Sequence, residues 1–127
     1  MSFFKFYRQP LPVYQIPEFH PDIDLLDIVK LKKEVSEAGS PIPLLKLARE
    51  SSNEILNTRY RQEQNIEEIV RGRAWVVDEI LKLAWKALNW PDPNEICLIA
   101  VGGYGRGELL PHSDVDLLVL TKNAWHK

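Results

Sequence analysis

Two aspartates separated by one residue, Asp114 and Asp116, open the apolar run Leu117-Leu118-Val119-Leu120. Successive side chains on a strand point to opposite faces, so these two carboxylates project together while Val115 and Leu117 point into the core. Ionised and about 6 Å apart, they repel by about 3 kcal/mol at an effective dielectric near 20. Such a pair stabilises a fold only when a cation sits in the gap. Mg²⁺ suits that gap, because it is hard, prefers oxygen ligands and takes one or two carboxylates together with substrate phosphates. Upstream, the apolar run Glu95–Val101 halts at Gly102-Gly103, with ten residues between Gly103 and Asp114. Glycine lacks a Cβ, so the backbone turns sharply there and a phosphate can come close. Backbone N–H groups at that turn, and at the start of a short helix through Tyr104–Glu108, would face an anion. Arg106 adds a forked cationic donor suited to phosphate oxygens. A Gly-Gly turn alone, or an Asp-x-Asp strand start alone, is commonly a plain turn or a solvated edge. The joint order of strand, Gly-Gly, Asp-x-Asp and strand points to a nucleotide site. In it Asp114 and Asp116 are the catalytic metal ligands, and Gly102, Gly103 and Arg106 hold phosphates.

The elements that must position these residues follow from periodicity. Residues 22–38 read as a first helix, with Pro21 before it, Ile23, Leu26, Leu31 and Val35 as a rough stripe, and Gly39 as the stop. Leu44–Gln64 reads as a second helix, its apolar side Leu44, Ala48, Ile55, Leu56 and Tyr60, weakened by Ser51-Ser52-Asn53. The third helix is the clearest. Asn65 caps it, with Glu68 three residues on as in a capping box. Ile69, Val76, Ile80, Ala84, Ala87 and Leu88 recur at three- and four-residue steps and bury one face, which Trp75 and Trp85 widen. Asn89-Trp90-Pro91-Asp92-Pro93 ends it. Glu95–Val101 and Asp114–Leu120 are then the first two strands of a sheet, so the fold class is α+β, helices first. Two strands are too few for a stable sheet, and the exposed strand edge predicts association or poor solubility.

Before the first helix, four prolines alternate with six aromatics up to Pro21. That density denies a regular helix, and leaves either an extended segment lying on the protein or a mobile arm. The expected division is 1–40, an arm and helix in part disordered, and 41–127, a helical lead-in with the N-terminal part of the catalytic domain.

The chain has 127 residues, 45% hydrophobic and 27% charged, with net charge −2, which describes a globular protein and not a basic nucleic-acid binder. Cys97 is the single cysteine, so no internal disulfide exists, and it reads as a small buried hydrophobe. No stretch is apolar for long enough to span a bilayer. The start carries no signal-peptide core, so the expected location is cytoplasmic, without membrane or nucleic-acid partners.

The run Ala100-Val101-Gly102-Gly103-Tyr104-Gly105-Arg106-Gly107-Glu108-Leu109-Leu110-Pro111-His112-Ser113-Asp114-Val115-Asp116-Leu117-Leu118-Val119-Leu120 resembles the signature of the bacterial PII-protein uridylyltransferases. These bifunctional uridylyltransferase/uridylyl-removing enzymes form a branch of the polymerase-β-like nucleotidyltransferases. The preceding helix, with its Ile-Val-Arg-Gly-Arg-Ala start and Leu-Ala-Trp end, resembles them too. The resemblance implies the polymerase-β-like sheet and transfer of UMP from UTP to a tyrosine of the PII nitrogen-regulatory protein, with release of pyrophosphate and a need for Mg²⁺ or Mn²⁺. It implies that Asp114 and Asp116 bind the metals and that Gly102 and Gly103 hold the triphosphate. Many members of the wider superfamily carry a phosphate-touching serine where this chain has Gly103. That contact then falls to backbone N–H, Ser113 or Arg106. The superfamily also uses a third carboxylate on a later strand, which this chain does not reach. An HD hydrolase domain and regulatory ACT domains are likewise absent. The expectation is therefore an N-terminal fragment, inactive alone. The rival readings are another nucleotidyltransferase, adenylylating a protein or small molecule, and a non-catalytic interaction module.

Overall fold

The computed structural model of the chain describes residues 22–88, 95–110 and 114–122, together with the backbone of residues 6–8. Its elements in chain order are β1 (Phe6–Arg8), α1 (Ile28–Glu37), α2 (Ile42–Arg61), α3 (Ile66–Ala87), β2 (Ile96–Ala100), α4 (Gly102–Gly105) and β3 (Leu117–Thr121). This is an α+β arrangement, helices leading into an antiparallel pair of strands, as the periodicity predicts. The sheet order is β1-β2-β3. β2 and β3 run antiparallel, with Leu98 opposite Val119 and Ala100 opposite Leu117. β1 adds a parallel edge strand, Phe6 opposite Leu98, which the proline-rich start did not advertise. The rest of the expected arm, residues 1–5 and 9–21, lies outside the described residues, as do residues 89–94 and the terminal 123–127.

α1 begins later than the stripe suggests. Asp22 accepts hydrogen bonds from the N–H groups of Asp24 and Leu25, at 3.1 and 3.2 Å, and this holds residues 22–25 in a turn. Asp27 then caps the helix by accepting from Lys30 N–H at 3.1 Å. Ile23, expected on the buried stripe, is 72% exposed; Leu25 is buried in its place, and Leu26 is buried as expected. A turn follows no 3.6-residue period, so the stripe fails there.

Within the Ser51-Ser52-Asn53 stretch that was expected to weaken α2, Ser52 strengthens the packing. Ser52 is fully buried, and its hydroxyl, with one proton to donate, lies within hydrogen-bond distance of two carbonyls, Ala48 O at 2.8 Å and Leu25 O at 3.0 Å. It thereby ties α2 to the turn before α1 while satisfying its own polar group. Tyr60, read as apolar-side, is largely exposed. Leu25, Leu26, Leu31, Leu45, Leu56, Ile69, Val76 and Leu83 form the core shared by the three long helices, with Trp75 packed against it.

α3 is the central element. Asn65 caps it by accepting from Glu67 N–H at 2.9 Å, and Glu67 and Glu68 in its first turn complement the helix dipole. One side of α3 contributes Ile69, Val76 and Leu83 to the helical core. Another contributes Ala74, which packs with Ala100, Tyr104 and Leu109. Further along, Trp85 covers Ile96 and Leu98. The alternation in β2 follows: Ile96, Leu98 and Ala100 are buried, Cys97 and Ile99 only half-buried. Ala87 and Leu88, expected to be buried, are exposed where the helix ends. Between α2 and α3 lies the buried Arg73. It donates to Asn53 Oδ1 at 2.7 Å and Asn57 Oδ1 at 3.2 Å. Burial, with Arg49 nearby, holds its pKa below the usual guanidinium value.

Two outcomes test this packing. Leu56 is 1% exposed, so Leu56→Ala is expected to cost about 3 kcal/mol and lower the thermal midpoint by roughly 10 °C in calorimetry. Asp22 is held below the ordinary carboxylate pKa, chiefly by the hydrogen bond from Arg59 at 2.8 Å. Its contribution is therefore complete above the unfolded value, about 3.9, and is lost as the pH falls from there through the lowered folded value. Arg59→Met should flatten the acid limb of a stability-versus-pH curve measured by urea unfolding between pH 6 and pH 2. An unchanged slope there would remove the pair from the account.

Candidate active site

β2 delivers the chain into a tight turn. Val101, extended at φ −130°, stands at the N-cap of α4, the single helical turn Gly102–Gly105. Gly102 takes φ +64°, a left-handed conformation that a side chain disfavours. The turn is closed by Gly105 N–H to Val101 O at 2.9 Å, and Glu108 N–H returns to Gly103 O at 3.0 Å. Gly107, at φ +77°, lets the chain leave the turn. Leu109 N–H then reaches Val70 O at 3.3 Å, fixing the loop to α3.

The acidic segment arrives from the other strand. β3 begins at Leu117 rather than Asp114, so both aspartates lie in the extended lead-in and not within the strand itself. The ladder nevertheless runs one step past the strand, with Val101 N–H donating to Asp116 O at 3.1 Å. That bond brings Asp116 to the glycine turn. A Cβ placed on Gly102 would lie 2.8 Å from Asp116 Oδ2 and 3.6 Å from its Cβ and Cγ. The carboxylate of Asp116 therefore occupies the space that the missing side chain leaves. Val115 packs inward against the cluster of Ala74, Ala100, Tyr104 and Leu109, while Asp114 and Asp116 on either side of it are exposed. Leu117, expected in the core, is 39% exposed, because no described helix covers that end of β3.

Of the residues singled out in the sequence, the structure brings Gly102 and Asp116 into contact and carries Asp114 on the same exposed lead-in. Arg106 is exposed, and its guanidinium Nη2 lies 3.7 Å from a Cβ placed on Gly103, so it folds back over the second glycine. Ser113 and His112 lie outside the described residues. One hard carboxylate, Asp116, lies beside a bare, bent backbone, with Asp114 exposed two residues earlier, and oxygen donors of this kind suit Mg²⁺. Among the described residues no group of three or more His, Cys, Asp or Glu side chains converges as a metal cage. A shallow hollow of about 260 Å³ beside α3 is lined by Ile66, Glu67, Val70, Arg71, Glu108 and Leu110. It includes neither glycine and neither aspartate, so it is a separate feature.

Sequence reasoning missed Tyr104 and Asp78. Tyr104 is fully buried inside the glycine turn, and its hydroxyl donates to Asp78 Oδ1 at 2.5 Å on α3. The signal was available: Tyr104 is the single apolar side chain among Gly102, Gly103, Gly105 and Gly107.

Comparison with known proteins adds to this geometry. Residues 81–126 match the family model described as a nucleotidyltransferase domain. A bifunctional uridylyltransferase/uridylyl-removing enzyme of Pseudomonas putida is 45% identical over 106 residues, 84% of this chain and 12% of that protein. The enzyme of the same name from Azotobacter vinelandii is 45% identical over the same extent, and that of Pseudomonas entomophila 43% identical. The chain thus spans about 12% of the length of the curated relatives it matches. No solved structure gives a significant match. Among the described residues, no helix is long and apolar enough to cross a membrane.

The two glycines should respond differently to a methyl group. Gly102→Ala meets both the positive φ and the 2.8 Å approach of Asp116 Oδ2, and is expected to cost about 2 kcal/mol or to displace the carboxylate. At Gly103 the added Cβ would lie 3.4 Å from Glu108 O, an ordinary contact, so Gly103→Ala should stay within about 1 kcal/mol of the parent. Urea unfolding of both variants checks this, and equal losses would refute the asymmetry.

Proposed function

Because the chain carries part of a nucleotidyltransferase domain and is homologous over most of its length to bifunctional uridylyltransferase/uridylyl-removing enzymes, we propose that it supplies the nucleotide-binding corner of a cytoplasmic enzyme that transfers UMP from UTP to a tyrosine of the PII regulatory protein. The observation that supports this reading is the packing of the Asp116 carboxylate on the bare backbone of Gly102.

In this reading Asp114 and Asp116 hold Mg²⁺ or Mn²⁺. A metal held by these two carboxylates would supply charge neutralisation to the triphosphate. Gly103 would admit phosphate oxygens to within contact of the backbone, and Gly102, whose missing side chain makes room for the Asp116 carboxylate, would bend the backbone toward them. Arg106, folded over Gly103, offers its fork of N–H donors to the same oxygens. Ser113, the residue before Asp114 in sequence, is proposed as a further phosphate donor. The tyrosine hydroxyl of PII attacks the α-phosphorus in line, and the site holds the two reactants in register. α3 serves as the rigid support, since it carries the loop anchor at Val70 and the packing surface at Ala74.

The 127-residue chain alone is proposed to turn over little, because β3 is exposed on both faces and its aspartates stand on an open surface. The test is a hybrid in which this chain replaces the matching segment of the Pseudomonas putida relative. With labelled UTP and purified PII, the hybrid is expected to label PII. Asp114→Asn or Asp116→Asn should slow labelling at least ~10³-fold, about 4 kcal/mol of barrier. Near-normal labelling by either variant would show that the metal ligands lie elsewhere.

A further inference from the structure

We infer that Tyr104 and Asp78 form a positioning pair that holds the glycine turn in its nucleotide-binding conformation, an inference that rests on the nucleotidyltransferase reading of that turn. Residues 102–107 contain four glycines, with Tyr104 and Arg106 as the only side chains. A chain of that composition loses more conformational entropy on ordering than any other, so it holds one shape only if something pins it. The Arg106 side chain is exposed, whereas Tyr104 is 0% exposed.

The pin has two parts. The ring packs with Ala74 of α3, Ala100 of β2 and Leu109 beyond the turn, with Val77, Leu81 and Val115 around them. Val115 is the residue between the two aspartates, so a single cluster touches the glycine turn, the acidic lead-in and α3. The second part is the hydroxyl, which donates to Asp78 Oδ1. A hydrogen bond to a carboxylate in a half-buried place is stronger than a neutral one and fixes direction as well as depth. The ring sets how deeply the turn sits. The hydroxyl sets how the turn is rotated about β2, and so where the Gly102 and Gly103 backbone faces relative to Asp116. A phosphate site made of backbone needs that orientation before the ligand arrives, since ordering it on binding would weaken affinity.

The pair acts through the turn and touches no reacting atom, so its signature is in nucleotide affinity and local loop motion rather than global stability. Mg²⁺-dependent UTP binding is measured by calorimetry on this chain, and amide hydrogen exchange is followed in the free protein. Tyr104→Phe keeps the ring and removes the bond. It is expected to weaken UTP binding on the order of tenfold and to speed exchange at Gly103–Gly107 similarly, with the α2 amides unchanged. Asp78→Ala should weaken binding at least as much, and the losses in the double variant should fall well short of additive, because both variants remove the same hydrogen bond. Asp78→Asn keeps an acceptor oxygen and should stay within about threefold of the parent. UTP binding by Tyr104→Phe at parental strength, or fully additive losses in the double variant, would overturn the pair. Asp114→Asn separates the two levels: if it binds Mg²⁺ and UTP as the parent does, the nucleotide site itself is wrong and the pair falls with it. If it loses binding while Tyr104→Phe does not, only the pair is wrong.

Discussion

The site depends on one backbone hydrogen bond, Val101 N–H to Asp116 O at 3.1 Å. It is the last rung of the β2–β3 ladder, one step beyond the paired strands. Val101 is at once the end of that ladder and the N-cap of the glycine turn. The bond therefore couples the glycine turn to the acidic lead-in through backbone, beside the side-chain cluster in which Val115 packs with Tyr104. Without it only the packing of Val115 would hold the acidic lead-in near Gly102. With it, Asp116 arrives where the chain has given up its Cβ.

Several weaker constraints keep that rung in place. The buried face of β2, with Ile96, Leu98 and Ala100, is covered by α3 through Trp85 and Ala74. α3 is in turn held by α1 and α2 through the larger apolar core, to which Ser52 adds a polar tie. The helices thus do not contribute chemistry themselves. They hold β2 still, and β2 presents its C-terminal end to the acidic segment. Charge follows the same division. The half-exposed Arg59–Asp22 pair and the buried Arg73 lie among the helices, while the carboxylates of the site stand exposed at the sheet edge.

Much of the fold was legible because its elements are periodic. α3 could be read almost whole, since its apolar residues recur at helical steps and Asn65 marks its start. β2 was equally plain, being a short strand-forming run halted by two glycines. The failures occurred where local chemistry overrides period. The Asp22 turn displaced the start of α1, and Ile23 with it. Ser52 reads as a helix weakener until its two acceptors are known. β1 was illegible because a three-residue edge strand among prolines owes its existence to the partner strand and not to its own sequence.

The same division holds at the site. Residue types alone set the chemical kinds: paired carboxylates, a backbone free of side chains, a forked cation and two strands to carry them. Those follow from residue type and from the two-residue period of a strand, which are local properties. The sequence also carried the likeness to nucleotidyltransferases, because that signature is contiguous. Only the tertiary structure decided that Asp116 is the carboxylate set on Gly102, and that β3 starts after the aspartates rather than with them. Only it showed that Tyr104 is buried against Asp78. Each of these depends on the register between β2 and β3 or on the depth at which the turn sits on α3. Register and depth are set by contacts between residues distant in the chain, and no local pattern encodes them.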